Sequence, residues 1–175
     1  MFRRLSAVCA VLSCFVLLLT SCSPGTAGHT APTFTGFSCK ADIAYRDMTV
    51  KGRLSRVSAG TLTLEIEEPA TLSGMKLSWD GEQVRVNMLG LSVELDPADI
   101  PASALGSALV DTLDAALRVQ DQAVFSDGVM KLDGECAAGS YTVTSDPATG
   151  ALLTVAVPDL ELRASFAILP PKLLF

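Results

Sequence analysis

Apolar and polar residues alternate through Thr61 to Asp96, and short turn signals break that alternation into antiparallel strands. Leu62, Leu64 and Ile66 share one face of a strand and Thr63, Glu65 and Glu67 the other, because successive side chains leave a pleat on opposite sides. Asp80-Gly81 reads as a two-residue type I′ turn that sets Leu77 opposite Val84 and Met75 opposite Val86. The reversal at Leu89-Gly90 sets Val86 opposite Val93, Val84 opposite Leu95 and, on the outer face, Arg85 opposite Glu94. Both turns return the same inner face, which a one-residue slip would invert.

The same pattern extends in both directions. Phe37 to Tyr45 and Met48 to about Val57 read as strands. A three-residue loop Ser58-Ala59-Gly60 then sets Leu54 opposite Leu64 inside, with Arg53 opposite Glu65 and Lys51 opposite Glu67 outside. From Pro101 to Val119 the period changes: Leu105, Leu109, Leu113 and Leu117 recur every fourth residue with Ala108 and Ala116, which predicts an amphipathic helix. Pro101 suits its first turn, and Asp111, Asp114 and Arg118 are expected to face water. Strands resume at Val129 to Cys136 and Ser140 to Ser145. The turn Asp146 to Gly150 sets Val143 opposite Leu153 and Tyr141 opposite Val155. A turn at Pro158-Asp159 sets Val157 opposite Leu160, Val155 opposite Leu162 and Thr154 opposite Arg163, and Leu160, Leu162, Ala164, Phe166 and Ile168 continue the inner face. About ten strands greased on one side, with one helix to cover them, predict a mainly β (α+β) domain. Its architecture is a curved antiparallel sheet or half-barrel wrapped on one long amphipathic helix, since twist makes wide sheets curl.

The N-terminus adds an address. Met1-Phe2-Arg3-Arg4, an apolar run to Leu19 and the box Leu19-Thr20-Ser21-Cys22 resemble a bacterial lipoprotein signal cut before Cys22, which would carry the lipid. An uncleaved membrane anchor is the alternative; the run is shorter than the roughly 20 residues a spanning helix needs. The expected organisation is a leader over 1–21, a Ser/Pro/Gly/Thr-rich tether over 22–35, one domain over 36–170 and an apolar tail over 171–175. Removing the leader leaves 154 of 175 residues, one domain with a proper core. The chain would then work outside the cytoplasm, lipid-anchored to the outer face of the cell membrane or to an outer membrane.

Composition narrows the chemistry. After the leader, 11 basic residues stand against 19 acidic ones, a balance that repels phosphate backbones, so nucleic acid is not an expected partner. Cys9 and Cys14 leave with the leader, and the two cysteines left in the domain, Cys39 and Cys136, are either a disulfide of an exported protein or two buried thiols. His29, the one histidine, lies in the tether, which argues against a histidine-dependent nucleophile. No His/Cys spacing fits zinc and no Gly-rich loop opens a helix, so neither metal nor cofactor is expected. Glu65 and Glu67 stand about 7 Å apart along one strand, within the roughly 6.5 to 9.5 Å of an inverting glycosidase pair. Both point to the solvated face beside basic partners, however, so the chain is expected not to be an enzyme.

The remaining candidate is the apolar face: Leu62, Leu64, Ile66, Met75, Leu77, Trp79, Val84, Val86, Met88 and Val93 from the strands, with Leu109 and Leu113 from the helix. Left partly uncovered, it forms a groove whose methionines adapt to acyl chains; fully covered, it is core.

The run Leu62 to Pro69, the hairpin Trp79-Asp80-Gly81-Glu82-Gln83-Val84-Arg85-Val86 and the turn Asp146 to Gly150 resemble the periplasmic lipoprotein-carrier superfamily. That superfamily comprises the outer-membrane lipoprotein carrier and its lipidated receptor, mycobacterial lipid-binding lipoproteins and related sporulation and germination lipoproteins. The resemblance covers roughly Phe37 to Ile168 and rests on turn chemistry and alternation. It implies a half-barrel with a hydrophobic concavity and a lipid or lipidated ligand. The expectation is thus a membrane-anchored, non-enzymatic lipoprotein binding an acyl chain or other apolar ligand. The alternative is an envelope or sporulation lipoprotein whose filled core leaves its outer face or edge to a protein partner.

Overall fold

The computed structural model describes residues 28–168, so Cys22, the leader and the apolar tail lie outside the described residues. Eleven strands form one open antiparallel sheet: β1 Phe37–Tyr45, β2 Met48–Arg56, β3 Thr61–Glu68, β4 Lys76–Asp80, β5 Val84–Met88, β6 Leu91–Leu95, β7 Val124–Ser126, β8 Val129–Cys136, β9 Gly139–Ser145, β10 Leu152–Val157 and β11 Leu162–Ile168. The helix α1 spans Leu105–Arg118 between β6 and β7. Strand order is β6-β5-β4-β3-β2-β1-β11-β10-β9-β8-β7. Sheet neighbours are chain neighbours except where β1 pairs with β11, joining an N-terminal and a C-terminal meander at the centre, and β6 and β7, consecutive strands in the chain, stand at opposite edges. The sequence pattern misses only β7, three residues long.

α1 contacts both β3 and β8, six strand spacings apart in the sheet order. Flat, those strands would lie about 29 Å from each other, more than twice the roughly 10 to 12 Å width of a helix. The sheet therefore curls about α1, and its inner face is the core. Val50, Leu54, Leu64, Leu109, Leu113 and Val155 are fully buried there. The helix begins four residues later than expected, because Pro101 to Ala104 form a separate turn closed by the Ala104 N–H on the Pro101 carbonyl at 2.8 Å.

Two hairpins have the expected register: Leu54 pairs with Leu64 and Arg53 with Glu65, and Val86 pairs with Val93 and Arg85 with Glu94. A bulge after Lys51 shifts that residue from Glu67 to Glu68, with which it makes a 3.2 Å ion pair. Three hairpins differ from expectation by two residues. Leu77 pairs with Val86 and Trp79 with Val84, because the turn is Gly81-Glu82 instead of Asp80-Gly81. The Asp80 carboxylate accepts the N–H groups of Glu82 at 3.0 Å and Gln83 at 2.8 Å, and Gly81 alone takes a positive φ of 98°, the type II′ pattern. Around Asp146 to Gly150, a bulge between Leu152 and Thr154 sets Val143 opposite Val155, so Leu152 is buried and Leu153 only half so. At Pro158 to Glu161 a 3₁₀ turn ending in a left-handed Glu161 lengthens the loop and pairs Val157 with Leu162 and Ala156 with Arg163. Steps of two leave the face assignments intact, except at the bulge, where Leu152 takes the inner place expected for Leu153.

The segment expected to be tether becomes domain by Thr30. Thr30 donates its backbone N–H to Pro147 at 2.7 Å, Thr33 donates to Gly150 at 2.7 Å, and Phe34 is buried in the core. Of the two alternatives for Cys39 and Cys136, the bridge is not formed and both are free thiols: three strands, β11, β10 and β9, stand between them in the sheet. The Cys39 thiol points to the Leu54 carbonyl, and that of Cys136 contacts Gly139 and Thr112. Burial pushes the Cys39 thiol up to about 11, so it stays protonated and inert at neutral pH.

Candidate binding face

The inner face divides into a sealed part and an open part. Leu62, Leu64, Ile66, Trp79, Val84, Leu109 and Leu113 are all buried in one cluster, and Met75 and Leu77 pack half-buried against its rim. Val86 and Met88 lie outside that cluster and are half-exposed, and Val93 is 54% exposed. Of the twelve residues expected to line a ligand face, seven are therefore core, and the boundary falls within β5, between buried Val84 and half-exposed Val86.

Trp79 makes the seal. The far edge of its indole abuts Gly106 in the first turn of α1, where an added Cβ would come within 1.7 Å of the ring. Only a glycine lets helix and β4 approach so closely. Beside it, a hollow of about 230 Å³ is lined by Gly60, Trp79, Pro97, Ile100, Val110 and Asp111. Burial, then the neighbouring Asp114, holds the Asp111 carboxyl above its ordinary range, with Arg118 opposing both.

The second fastening is ionic. Arg56, only 1% exposed, sits on the inner face of β2 and pairs with Asp114 of α1, whose carboxylate also accepts the Gly60 N–H at 3.1 Å. Asp114 thus turns inward to Arg56 instead of facing water as expected. The Nε and Nη1 atoms of Arg56 have no partner among the described residues. The signal was present in the sequence: Arg56 is two residues beyond Leu54 and must share its face.

Beyond Trp79 the apolar surface continues uncovered. Val86 of β5 pairs with Val93, and Met88 with Leu91 of β6. All five residues of β6 are exposed, with Leu91 at 75%, Val93 at 54% and Leu95 at 40%. The convex face is different: Glu65 sits between Lys76 at 3.3 Å and Arg53 at 4.0 Å, Arg85 meets Glu94 at 2.7 Å, and Lys131 meets Asp133 at 3.0 Å. Glu67 is exposed on that same face, so the two carboxylates stand on open sheet with Glu65 tied to cations. Among the described residues no helix is long and apolar enough to cross a membrane. No protein-family model matches the chain and no curated protein matches it, so the reading of this face rests on its own residues.

Proposed function

We propose that the chain is a membrane-anchored, extracytoplasmic and non-enzymatic binding lipoprotein, tethered through a lipidated Cys22. Its ligand is an acyl chain or lipid laid on the open flange β5–β6. One observation carries this reading: the apolar face does not stop where the helix stops covering it, and Val86, Met88, Leu91, Val93 and Leu95 remain open to solvent or half so. An apolar strand pair of this extent on a domain surface marks an interaction site. Eight residue-to-residue steps lead from Cys22 to Thr30, where the chain joins the domain, so whatever the conformation they span at most about 29 Å. A lipid on Cys22 therefore keeps the domain, joined at the β9–β10 turn, near a bilayer, the source of its ligand. In this half-barrel the ligand lies at the rim, and the centre is core.

The second reading is an envelope adapter with a filled interior that binds a protein partner. It draws on the complete burial of Leu64, Leu109 and Leu113, which leaves the centre of the concavity without room.

Native mass spectrometry of the full chain, with lipid extraction, separates the two. The first reading expects copurified lipid that is lost on Val86→Arg and Val93→Arg, exchanges that a half-exposed or exposed site tolerates without unfolding. A protein free of lipid before any substitution, or lipid retained through both variants in a folded chain, overturns it and leaves the adapter.

A further inference from the structure

Edge strands are usually blunted by lysine, proline, a bulge or extreme shortness, since a free row of N–H and C=O groups recruits other strands. β7 follows that rule: it has three residues, and His29 stacks on its Phe125 with ring centroids 4.2 Å apart. β6 has none of these devices. Leu91-Ser92-Val93-Glu94-Leu95 contains no lysine or proline, pairs with β5 without a bulge and is exposed throughout.

The turn before β6 fixes which of its groups are free. Leu89 and Gly90 both take positive φ, 52° and 83°, as a two-residue type I′ turn requires, and Met88 pairs with Leu91 directly across it. In such a hairpin, Leu91, Val93 and Leu95 turn their main-chain groups toward β5, whereas Ser92 and Glu94 turn theirs to the open edge.

We infer that this edge pairs with β6 of a second copy, antiparallel about a two-fold axis through Val93. A register keeping both apolar faces on one side must move in steps of two, which leaves three choices near the strand centre. Centring on Glu94 sets that carboxylate against its own copy. Centring on Ser92 leaves Leu95 unpaired beyond the strand. Centring on Val93 pairs all five residues: Leu91 with Leu95, Ser92 with Glu94 and Val93 with itself. Each Ser92/Glu94 pair then exchanges both its main-chain bonds, about four in all. The charge is already balanced, because Glu94 is held by Arg85 at 2.7 Å and meets a neutral serine across the axis. Leu91, Val93 and Leu95 of the two copies become one apolar strip, which removes from water part of what the isolated chain exposes. The interface is isologous and closed, so it ends at a dimer. It uses the strand edge and not the face, and does not depend on which ligand the face holds.

Sedimentation equilibrium of the full chain in density-matched detergent, combined with single cysteines, tests this pairing. A dimer is expected, and Ser92→Pro returns it to monomer because proline removes an edge-facing N–H while leaving the bonds to β5 in place. Ser92→Lys, brought opposite Glu94 of the second copy, tightens the dimer about tenfold, and Ser92→Glu loosens it about tenfold. Val93→Cys crosslinks with its own copy on mild oxidation beyond the unsubstituted chain, since a non-hydrogen-bonded pair holds Cα atoms about 4.5 Å apart; Ser92→Cys does not. A monomer in the unsubstituted chain overturns the inference, as do lysine and glutamate at 92 acting in the same direction, or equal crosslinking from 92 and 93. Ser92→Pro leaves the apolar face intact, so lipid retained by a monomeric variant separates failure of this pairing from failure of the lipid reading.

Discussion

Beneath α1, the sheet buries inner residues from Trp79 of β4 round to Leu132 of β8; beyond Val84, β5 and β6 carry the same alternation and leave it half or fully in water. The two regions are nearly identical in pattern. Leu62-x-Leu64-x-Ile66 is buried, and Leu91-x-Val93-x-Leu95 is exposed. Alternation states only which side of a strand is apolar; what seals that side is a covering element within reach. Fourteen helical residues cover about 21 Å of length, one helix width across, and the curl of the sheet brings distant strands such as β3 and β8 to it but not β6. An exposed apolar strip at one end of the sheet is thus a consequence of having, among the described residues, one α-helix to cover eleven strands.

Truncating the two regions in parallel breaks that comparison most directly. Leu113→Ala removes a fully buried side chain from the sealed region and should cost about 3 to 5 kcal/mol of unfolding free energy. Val93→Ala, on the flange, should stay within about 0.5 kcal/mol of the parent under conditions where the chain is monomeric. Urea unfolding of both variants measures the difference. Equal losses would mean that the flange is as sealed as the centre.

The next largest effect lies in the ionic fastening of helix to sheet. Asp114→Ala strands the buried Arg56 guanidinium, which already has two nitrogens unpartnered. A loss of about 3 kcal/mol is expected, the lower end for breaking a buried pair because Asp114 itself is partly solvated. Arg56→Met should cost much less, since it removes the buried charge and keeps a flexible apolar side chain of similar length. The order of the two unfolding midpoints is the readout. If Arg56→Met proves the worse variant, the unpaired buried guanidinium is not the dominant cost, and the Arg56 side chain supports the sealed region apart from its pair with Asp114.

How much of this division the sequence displayed depends on the range of the interaction that sets each feature. Face assignments are local and proved legible except at Leu153, whose inner place a bulge gives to Leu152; the register at Leu89-Gly90 was legible too, where two residues with positive φ leave the loop no freedom. Registers at Asp80, Asp146 and Pro158 came out two residues away, because side chains or a 3₁₀ turn reorganise the loop backbone in ways that alternation does not encode. Phe34 lay hidden in a Pro/Thr/Gly-rich stretch, although Pro32 and Phe34, both buried, already show the period of two. The split of the candidate face into core and flange was not legible. It depends on where α1 lies over the curled sheet and on Gly106 admitting Trp79, a contact between residues 27 positions apart.

The smallest effect contrasts two turns, one in each region. In both, an aspartate is held below its ordinary 3.8 by hydrogen bonds: Asp80 chiefly by the backbone of Gln83 and Glu82, and Asp146 by the backbone and hydroxyl of Thr149 with Ala148. A carboxylate with a depressed folded pKa contributes stability that is present above its unfolded value and is lost as pH falls through the folded one. Asp80→Ala and Asp146→Ala should therefore each lower the thermal midpoint at neutral pH, and each difference from the parent should shrink on acidification below 3.8. The two shifts should not be equal. The Asp146 turn presents the Pro147, Ala148 and Gly150 carbonyls that hold Thr30 and Thr33, and with them buried Phe34, whereas the Asp80 turn supports one hairpin leading to the flange. Melting both variants across that pH range should give the larger shift to Asp146→Ala; a larger shift for Asp80→Ala would make the flange hairpin part of the cooperative core.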